Sequence, residues 1–414
     1  MASPENKSRV VAIVIALVLA APLSAAPGGQ NASTAVTGAT QPARDGYVGD
    51  GACLRCHAET VDSFHKTTHY LTSSEPSATT VLGQFTSGNN ILKTANPGLY
   101  FRMEEHRTNG GQPSFSETAV EGDAPDTTSQ TERMDVVIGS GEKGQTYLYW
   151  KGDKLFELPV SYWANLGWVN SPGYRDGYAD FDRPIIPRCL ECHATYFESR
   201  PPPMNRYSPA GYSLGIQCEV CHGPGREHVA LEASKSVRGS TAGVAAGSSS
   251  GILNPARFPR ERQMDLCAWC HAGLGWPLKP AFSYRPGEVL EKYVDLPPPG
   301  NFAPADVHGN QVGMLEKSVC YRSSNMTCLT CHDVHVTQHD VAYFSGKCLT
   351  CHKPDSATFK KPGHPVTNNC IHCHMPRQNT NLIVFNFDGK RMTPQMRNHW
   401  INVYPGTQAP VANR

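Results

Sequence analysis

The chain has 414 residues, a formal charge of +1 at pH 7, and 18% charged residues, which is below the usual quarter. Its 37 glycines and 33 prolines favour turns and loops over regular helix or sheet layers throughout. No basic stripe or tail is visible, which argues against a nucleic-acid partner.

The N-terminus has the features of a secretory signal. Lys7 and Arg9 precede an apolar run at residues 10–23, and small residues at 24–26 supply a cleavage site. We therefore predict a signal peptide at residues 1–26. The alternative is an uncleaved membrane anchor, but the apolar run is shorter than the about 20 residues that span a bilayer. We predict no transmembrane span in the mature chain.

A predicted disordered tether at residues 27–44 leads to the first copy of a repeat that organises the chain. The string Cys-x-x-Cys-His occurs seven times and uses fourteen of the fifteen cysteines. The cysteines are Cys53, Cys56, Cys189, Cys192, Cys218, Cys221, Cys267, Cys270, Cys328, Cys331, Cys348, Cys351, Cys370 and Cys373. The histidines that follow them are His57, His193, His222, His271, His332, His352 and His374.

The spacing of the repeat fits covalent haem. In a c-type site the two thiols bind the haem vinyl groups, and the histidine that follows binds the iron as the proximal ligand. Zinc ribbons, redox dithiols and disulfides also use paired cysteines, but none of them needs a histidine after every second cysteine. The repeat therefore predicts seven covalently attached haems c. Their propionates should make the holoprotein acidic.

A haem-free interval separates the first motif from the other six. We predict a first haem segment at residues 45–80, a β-rich insert at 81–184, and a six-haem segment at 185–414. Within the insert, alternating or β-branched runs predict strands at 99–103, 134–138, 146–150 and 155–160, with turns at 139–144 and 151–154. Irregular loop is the alternative structure for this insert.

The six-haem segment is interrupted by two loops. Residues 234–251 are rich in Ala, Ser and Gly and predict a flexible loop, and a Pro-rich loop follows at 297–304. The last three motifs lie too close together for independent folds. The predicted fold is therefore a multihaem cytochrome c, made mostly of short α-helices and loops wrapped round stacked haems, with a small antiparallel β module.

Ten histidines lie outside the motifs, enough to give every iron a second imidazole. His69 follows His57 by twelve positions on what reads as one helix. His228 and His335 lie just past their own motifs, where they cannot easily bend round their own haem, so each should bind a neighbouring iron. The predicted distal ligands are His69, His228, His335, His364 and His399, with His308 as a further candidate. We predict surface positions for His65, His106, His339 and His372. Methionine is the alternative axial ligand.

The remaining cysteine, Cys320, has two interpretations. The simpler is a small buried apolar residue. The other is a free thiol or an intermolecular disulfide.

Several segments carry a family resemblance. CHAETVDSFHKTTHY, LPVSYW, RCLECHATY, CEVCHGPGREHV, MTCLTCHDVH, NNCIHCHMPR and RNHW resemble the doubled-CXXCH multihaem cytochromes related to the tetrahaem cytochrome of ammonia oxidation. The likeness spans roughly residues 47–400. It implies an exported electron carrier, and it matches the five predicted distal histidines to distal-ligand positions, which leaves two haems open. Phe64 and Val334 depart mildly from the family pattern.

The sequence thus predicts an exported, periplasmic or cell-surface cytochrome that carries single electrons between redox proteins through mainly bis-His haems, with no catalytic residues. One alternative is a reductase or oxidase of small nitrogen or sulfur compounds, acting at a haem with an open distal site. The second alternative is a subunit of a conducting filament formed by self-association.

Overall fold

The computed structural model describes residues 44–107, 111–122, 125–202, 204–237, 251–296, 309–356, 368–380 and 383–404. The predicted signal peptide, the tether up to residue 43, and the Pro-rich loop lie outside the described residues. So do His308 and His364, two of the predicted distal ligands.

Within the described residues most of the helices are short, as predicted. Six of the nine helices in these residues contain the first cysteine of a Cys-x-x-Cys-His motif, which fills little more than one helical turn. Their bounds are α1 Asp50–Phe64, α2 Pro187–Glu191, α3 Cys218–His222, α4 Arg226–Val237, α5 Arg260–His271, α6 Gln311–Glu316, α7 Val319–Arg322, α8 Val341–Leu349 and α9 Cys370–His374.

The strands of the described residues lie mainly in the predicted insert. They are β1 Ser73–Ser74, β2 Ile91–Lys93, β3 Leu99–His106, β4 Ser114–Glu121, β5 Thr128–Arg133, β6 Val136–Ile138, β7 Gly144–Lys151, β8 Lys154–Glu157, β9 Val160–Trp163, β10 Gly167–Asn170, β11 Ala194–Ser199, β12 Tyr207–Leu214, β13 Trp276–Pro277, β14 Val294–Asp295, β15 Arg377–Asn379, β16 Phe385–Phe387, β17 Lys390–Met392 and β18 Gln395–Arg397.

Two antiparallel sheets form the insert. One has four strands in the order β2-β3-β4-β5, and the other has the order β1-β6-β7-β9-β10 with β8 paired to β7. Strand β1 belongs to the first haem segment, and its pairing with β6 fixes that segment to the insert. Four two-stranded sheets complete the described β structure: β11-β12, β13-β14, β15-β18 and β16-β17.

The two large sheets share an apolar core. Phe101 and Phe115 of the four-stranded sheet pack with Tyr147, Tyr149 and Trp168 of the other. Burial of each large apolar side chain stabilises the fold by about 1.5–3 kcal/mol. The insert therefore has a protein core of its own, whereas the six-haem segment has smaller cores beside its motifs.

The insert is larger and more regular than the predicted small module. The predicted strands at 99–103, 134–138 and 146–150 correspond to β3, β6 and β7. The predicted single strand at 155–160 is wrong, because the run divides into β8 and β9. Pro159 lies between them, and proline has no N–H to continue a ladder. Helices and strands share the described residues, so the predicted predominance of short α-helices and loops is not seen there.

Two further predictions need correction. Helix α1 ends at Phe64, so His69 does not share a helix with His57. The hydroxyl of Thr67 donates to the Phe64 carbonyl at 2.7 Å, which satisfies that end of the helix and lets the chain turn. In addition, residues 234–237 of the predicted flexible loop continue α4, and residues 238–250 lie outside the described residues.

Candidate haem-binding site

The motifs use helical geometry to bring three groups together. Residues three and four positions apart lie on one face of a helix, so the two thiols and the histidine of each motif share a side. In the fifth motif, the His332 N–H donates to the Cys328 carbonyl at 2.9 Å, and His352 does the same to Cys348 in the sixth. Each motif therefore presents one thiol pair and one imidazole in a single direction.

These groups line one connected cavity of about 3080 Å³. This volume is about three times the upper end of the about 300–1,000 Å³ typical of small-molecule pockets. All seven motif histidines and every motif cysteine except Cys373 line the cavity. His69, His228, His335 and His399 line it as well. The cavity thus collects all but one of the predicted attachment cysteines and every predicted distal ligand that the structure describes.

Four motif histidines each face one histidine from outside the motifs. Ring centres lie 6.3 Å apart for His57 and His228, and 6.0 Å apart for His222 and His335. For His332 and His399 the distance is 6.4 Å, and for His271 and His69 it is 6.0 Å. Each pair joins two different parts of the chain.

The distances match an iron held between two imidazoles. Two metal–nitrogen bonds of about 2 Å, with each nitrogen about 1.1 Å from the centre of a ring of about 1.33 Å bonds, give about 6.3 Å between ring centres. The first three pairs have ring planes 19–26° apart, and the fourth pair is near perpendicular at 87°. Both arrangements suit an iron, because each ring plane can rotate about its bond to the metal.

Hydrogen bonds orient several of these imidazoles. Nδ1 of His222 donates to the Leu253 carbonyl, and Nδ1 of His374 donates to the Asn402 carbonyl, each at 2.9 Å. A proton held on Nδ1 leaves the lone pair of Nε2 free for a metal. Nδ1 of His193 lies 2.9 Å from the hydroxyl of Thr72.

Burial keeps the same rings neutral. It lowers the pKa of His69 to about 4, with His271 and His332 adding to the effect. Burial also lowers the pKa of His399 to about 4, and it lowers the pKa of His222. Neutral imidazole is the form that binds a metal. The size of the cavity, its paired thiols and its neutral imidazole pairs therefore fit covalent haem.

Thiols of different motifs also lie within hydrogen-bonding reach of one another. Cys53 contacts Cys218, and Cys192 contacts Cys270. Cys267 contacts Cys328, and Cys348 contacts Cys370. These contacts join the first motif to the third, the second to the fourth, the fourth to the fifth, and the sixth to the seventh.

The other histidines have varied surroundings. His65 is only partly exposed, because Nε2 lies 3.1 Å from an Asp50 oxygen and its ring stacks on Tyr70. The predicted surface position is confirmed for His106, which is exposed at the end of β3. His339 is 63% exposed and also lines the cavity. His372 is partly buried and does not line it.

Cys320 differs from the simpler prediction. It is only partly buried and lines the cavity, whereas the next residue of α7, Tyr321, is buried in a protein core.

No sequence pattern marked several of the residues that shape the site. The carbonyls of Leu253 and Asn402 act through the backbone, so no side-chain pattern could mark them. Glu157 and Arg183 of the insert also line the cavity, as an ion pair 3.2 Å apart. Arg183 lies outside the predicted strands, so its approach to Glu157 depends on the tertiary fold.

Residues 176–223, which contain the second and third motifs, match the sequence model of the family described as "Cytochrome c554 and c-prime". This stretch is similar to a c-type cytochrome. A solved structure titled "Crystal Structure of Outer Cell Wall Cytochrome OcwA" aligns with 86% of this chain and 80% of its own, at 16% identity and a TM-score of 0.48. No curated protein matches the chain. The family match supports the prediction of covalently bound haem c and of electron transfer.

Proposed function

We propose that this chain is an exported c-type cytochrome with seven covalent haems, which carries single electrons between redox proteins. The observation that carries the proposal is the set of four histidine pairs in the cavity of the seven motifs. An iron held by two imidazoles has no open position for a substrate, so it exchanges electrons without chemical change of a ligand. The protein contributes the axial ligands, the burial and the hydrogen bonds that set each potential.

We infer the order of the haems from the sulfur contacts. Numbered by their motifs, the first haem lies beside the third, the fourth lies beside both the second and the fifth, and the sixth lies beside the seventh. The histidine pairs add further links, because the segment after the third motif supplies His228 to the first iron. Likewise, His335 follows the fifth motif and faces His222 of the third. Close haems joined in this way form a path for electrons.

Electron paramagnetic resonance of the oxidised protein tests the electron-carrier proposal. We expect low-spin signals from at least the four irons with paired imidazoles, because two nitrogen ligands complete the coordination of each. Predominantly high-spin iron would contradict the proposal, since it would mean that the histidine pairs do not bind the metal.

The two alternatives make different predictions for the same protein. A reductase or oxidase requires a high-spin haem whose signal shifts when nitrite or hydroxylamine is added. A filament requires sedimentation to show larger species as concentration rises. A single monomeric species at all concentrations would exclude the filament.

The partners and location follow from the same proposal. We infer that donors and acceptors are other redox proteins, and that the protein works in the periplasm or at the cell surface after its predicted export. No helix of the described residues has the length and apolar character needed to cross a membrane.

A further inference from the structure

The insert carries an unusual pair of acidic residues, one of which lines the cavity. Glu117 of β4 is fully buried, and Glu157 of β8 has a side chain only 13% exposed. Buried carboxylates are costly unless they are paired or protonated. Neither residue belongs to a haem motif or to a histidine pair.

The two carboxyl groups have different surroundings. Glu157 is held as a carboxylate, because Oε2 lies 3.2 Å from Nη1 of Arg183 and Oε1 accepts a hydrogen bond from the Thr146 hydroxyl at 3.1 Å. Glu117 accepts only the Val160 N–H, at 3.3 Å, and its other oxygen has no partner. Burial therefore raises the pKa of Glu117 well above its ordinary value. We expect Glu117 to be protonated and Glu157 to be ionised.

Glu157 is the member of the pair that faces the haem cavity. It lines the cavity together with Arg183, Thr146 and Cys189. Burial raises the pKa of the Cys189 thiol, and the charge of Glu157 adds to that rise. It is thus close enough to Cys189, one attachment site of the second haem, for a charge on that haem to act on its carboxylate. The side chain of Arg183 is 41% exposed, so the ion pair with Glu157 lies beside solvent that can supply a proton. The titratable or charged groups that act on the pair are Tyr147, Tyr174, Arg183 and Cys189.

We propose that Glu157 is a proton-exchange site, which takes up one proton from solvent when the second haem accepts one electron. The electron comes from a redox partner and converts ferric to ferrous iron. The added negative charge favours the neutral carboxylic acid, so a proton binds to Glu157 and its ion pair with Arg183 is lost. Electron and proton then leave together when the haem is oxidised again. Burial also raises the pKa of Glu157, while Arg183 and Thr146 oppose that rise.

Redox titration of the holoprotein at several pH values, followed by haem absorbance, tests this proposal. Because reduction takes up a proton, the equilibrium constant for reduction of one haem should fall by up to about tenfold for each unit by which the pH rises. This corresponds to a decrease of about 59 mV in the potential of a one-electron couple. Glu157→Gln should flatten this dependence, since the amide cannot bind the proton. Glu121→Gln, an exposed carboxyl on β4, is the matched control and should leave it unchanged.

A measurement on the unmodified protein guards against a variant that fails to fold. The reduced-minus-oxidised infrared difference spectrum should show a new protonated carboxylic acid, with a carbonyl band that shifts in D₂O. The absence of this band, or equal pH dependence in the Glu157→Gln and unmodified proteins, would overturn the proposal.

This inference rests on haem binding by the second motif. A protein that lacks haem by mass would refute the proposed function, whereas a haem-loaded protein with pH-independent potentials would refute only this site.

Discussion

At the scale of single residues, the histidines outside the motifs decide what each iron can do. The motif histidines are similar to one another, but their partners come from different places: a turn after α1 for His69, helix α4 for His228, and the C-terminal part of the chain for His399. An iron that loses such a partner gains an open position. The distal residues therefore separate an electron carrier from a catalyst.

Replacement of His228 tests the assignment of one pair. His228→Ala removes the imidazole that faces His57 at 6.3 Å, so we expect one haem to change from low-spin to high-spin while the haem content stays the same. Electron paramagnetic resonance measures the spin state, and the matched control is His106→Ala, at the exposed end of β3. An unchanged low-spin spectrum in His228→Ala would show that this residue does not bind the iron.

Much of this site could be predicted from the sequence, because haem attachment requires a fixed local pattern of residues. The Cys-x-x-Cys-His motif is a local pattern, so its seven copies could be identified without knowledge of the fold. His228 and His335 were expected to serve neighbouring haems, and the structure places them opposite His57 and His222. The sequence could not identify which motif each would face, because those pairings depend on how distant segments pack.

At the scale of elements, a buried carboxylate holds two haem helices together. Glu219 of α3 is 1% exposed, and its oxygens accept hydrogen bonds from the backbone N–H groups of Val48 and Gly49, just before α1, at 2.8–3.1 Å. The N–H of Gly225 donates to the same carboxylate at 2.8 Å. This arrangement fixes the first motif beside the third, where Cys53 and Cys218 touch.

Loss of that carboxylate should weaken the fold. Glu219→Ala leaves three backbone donors without this acceptor, and each such loss costs about 1–3 kcal/mol, so we expect the free energy of unfolding to fall by at least about 3 kcal/mol. Denaturant titration of the holoprotein measures this change. Glu227→Ala, an exposed acidic residue on α4, should change stability little. Equal stability of the two variants would contradict the role of Glu219.

Element boundaries were harder to predict than element types. The alternating pattern located β3, β6 and β7, but the chain turns at Pro159 and after Phe64 for reasons that extend beyond local periodicity. At Phe64 a side-chain hydroxyl satisfies the end of α1, and the following turn brings His69 opposite His271. The size of the insert also depends on β1, which comes from the first haem segment.

At the scale of the whole molecule, the motifs share one cavity rather than seven separate pockets. Contacts between sulfur atoms connect neighbouring motifs, and histidine pairs connect segments that are distant in sequence. Protein interiors are close-packed and do not contain empty voids of this size. The haems themselves must therefore fill the cavity. The central claim about the molecule is therefore the number of haems that it holds.

The mass of the intact, denatured protein tests that claim most directly, since thioether-linked haem stays attached when the fold is lost. We expect the mass of the mature polypeptide plus seven haems, and one haem fewer in Cys189→Ser/Cys192→Ser, with a lower soluble yield because part of the core is missing. A mass without haem, or an unchanged mass and yield for the double variant apart from its two substitutions, would contradict the account.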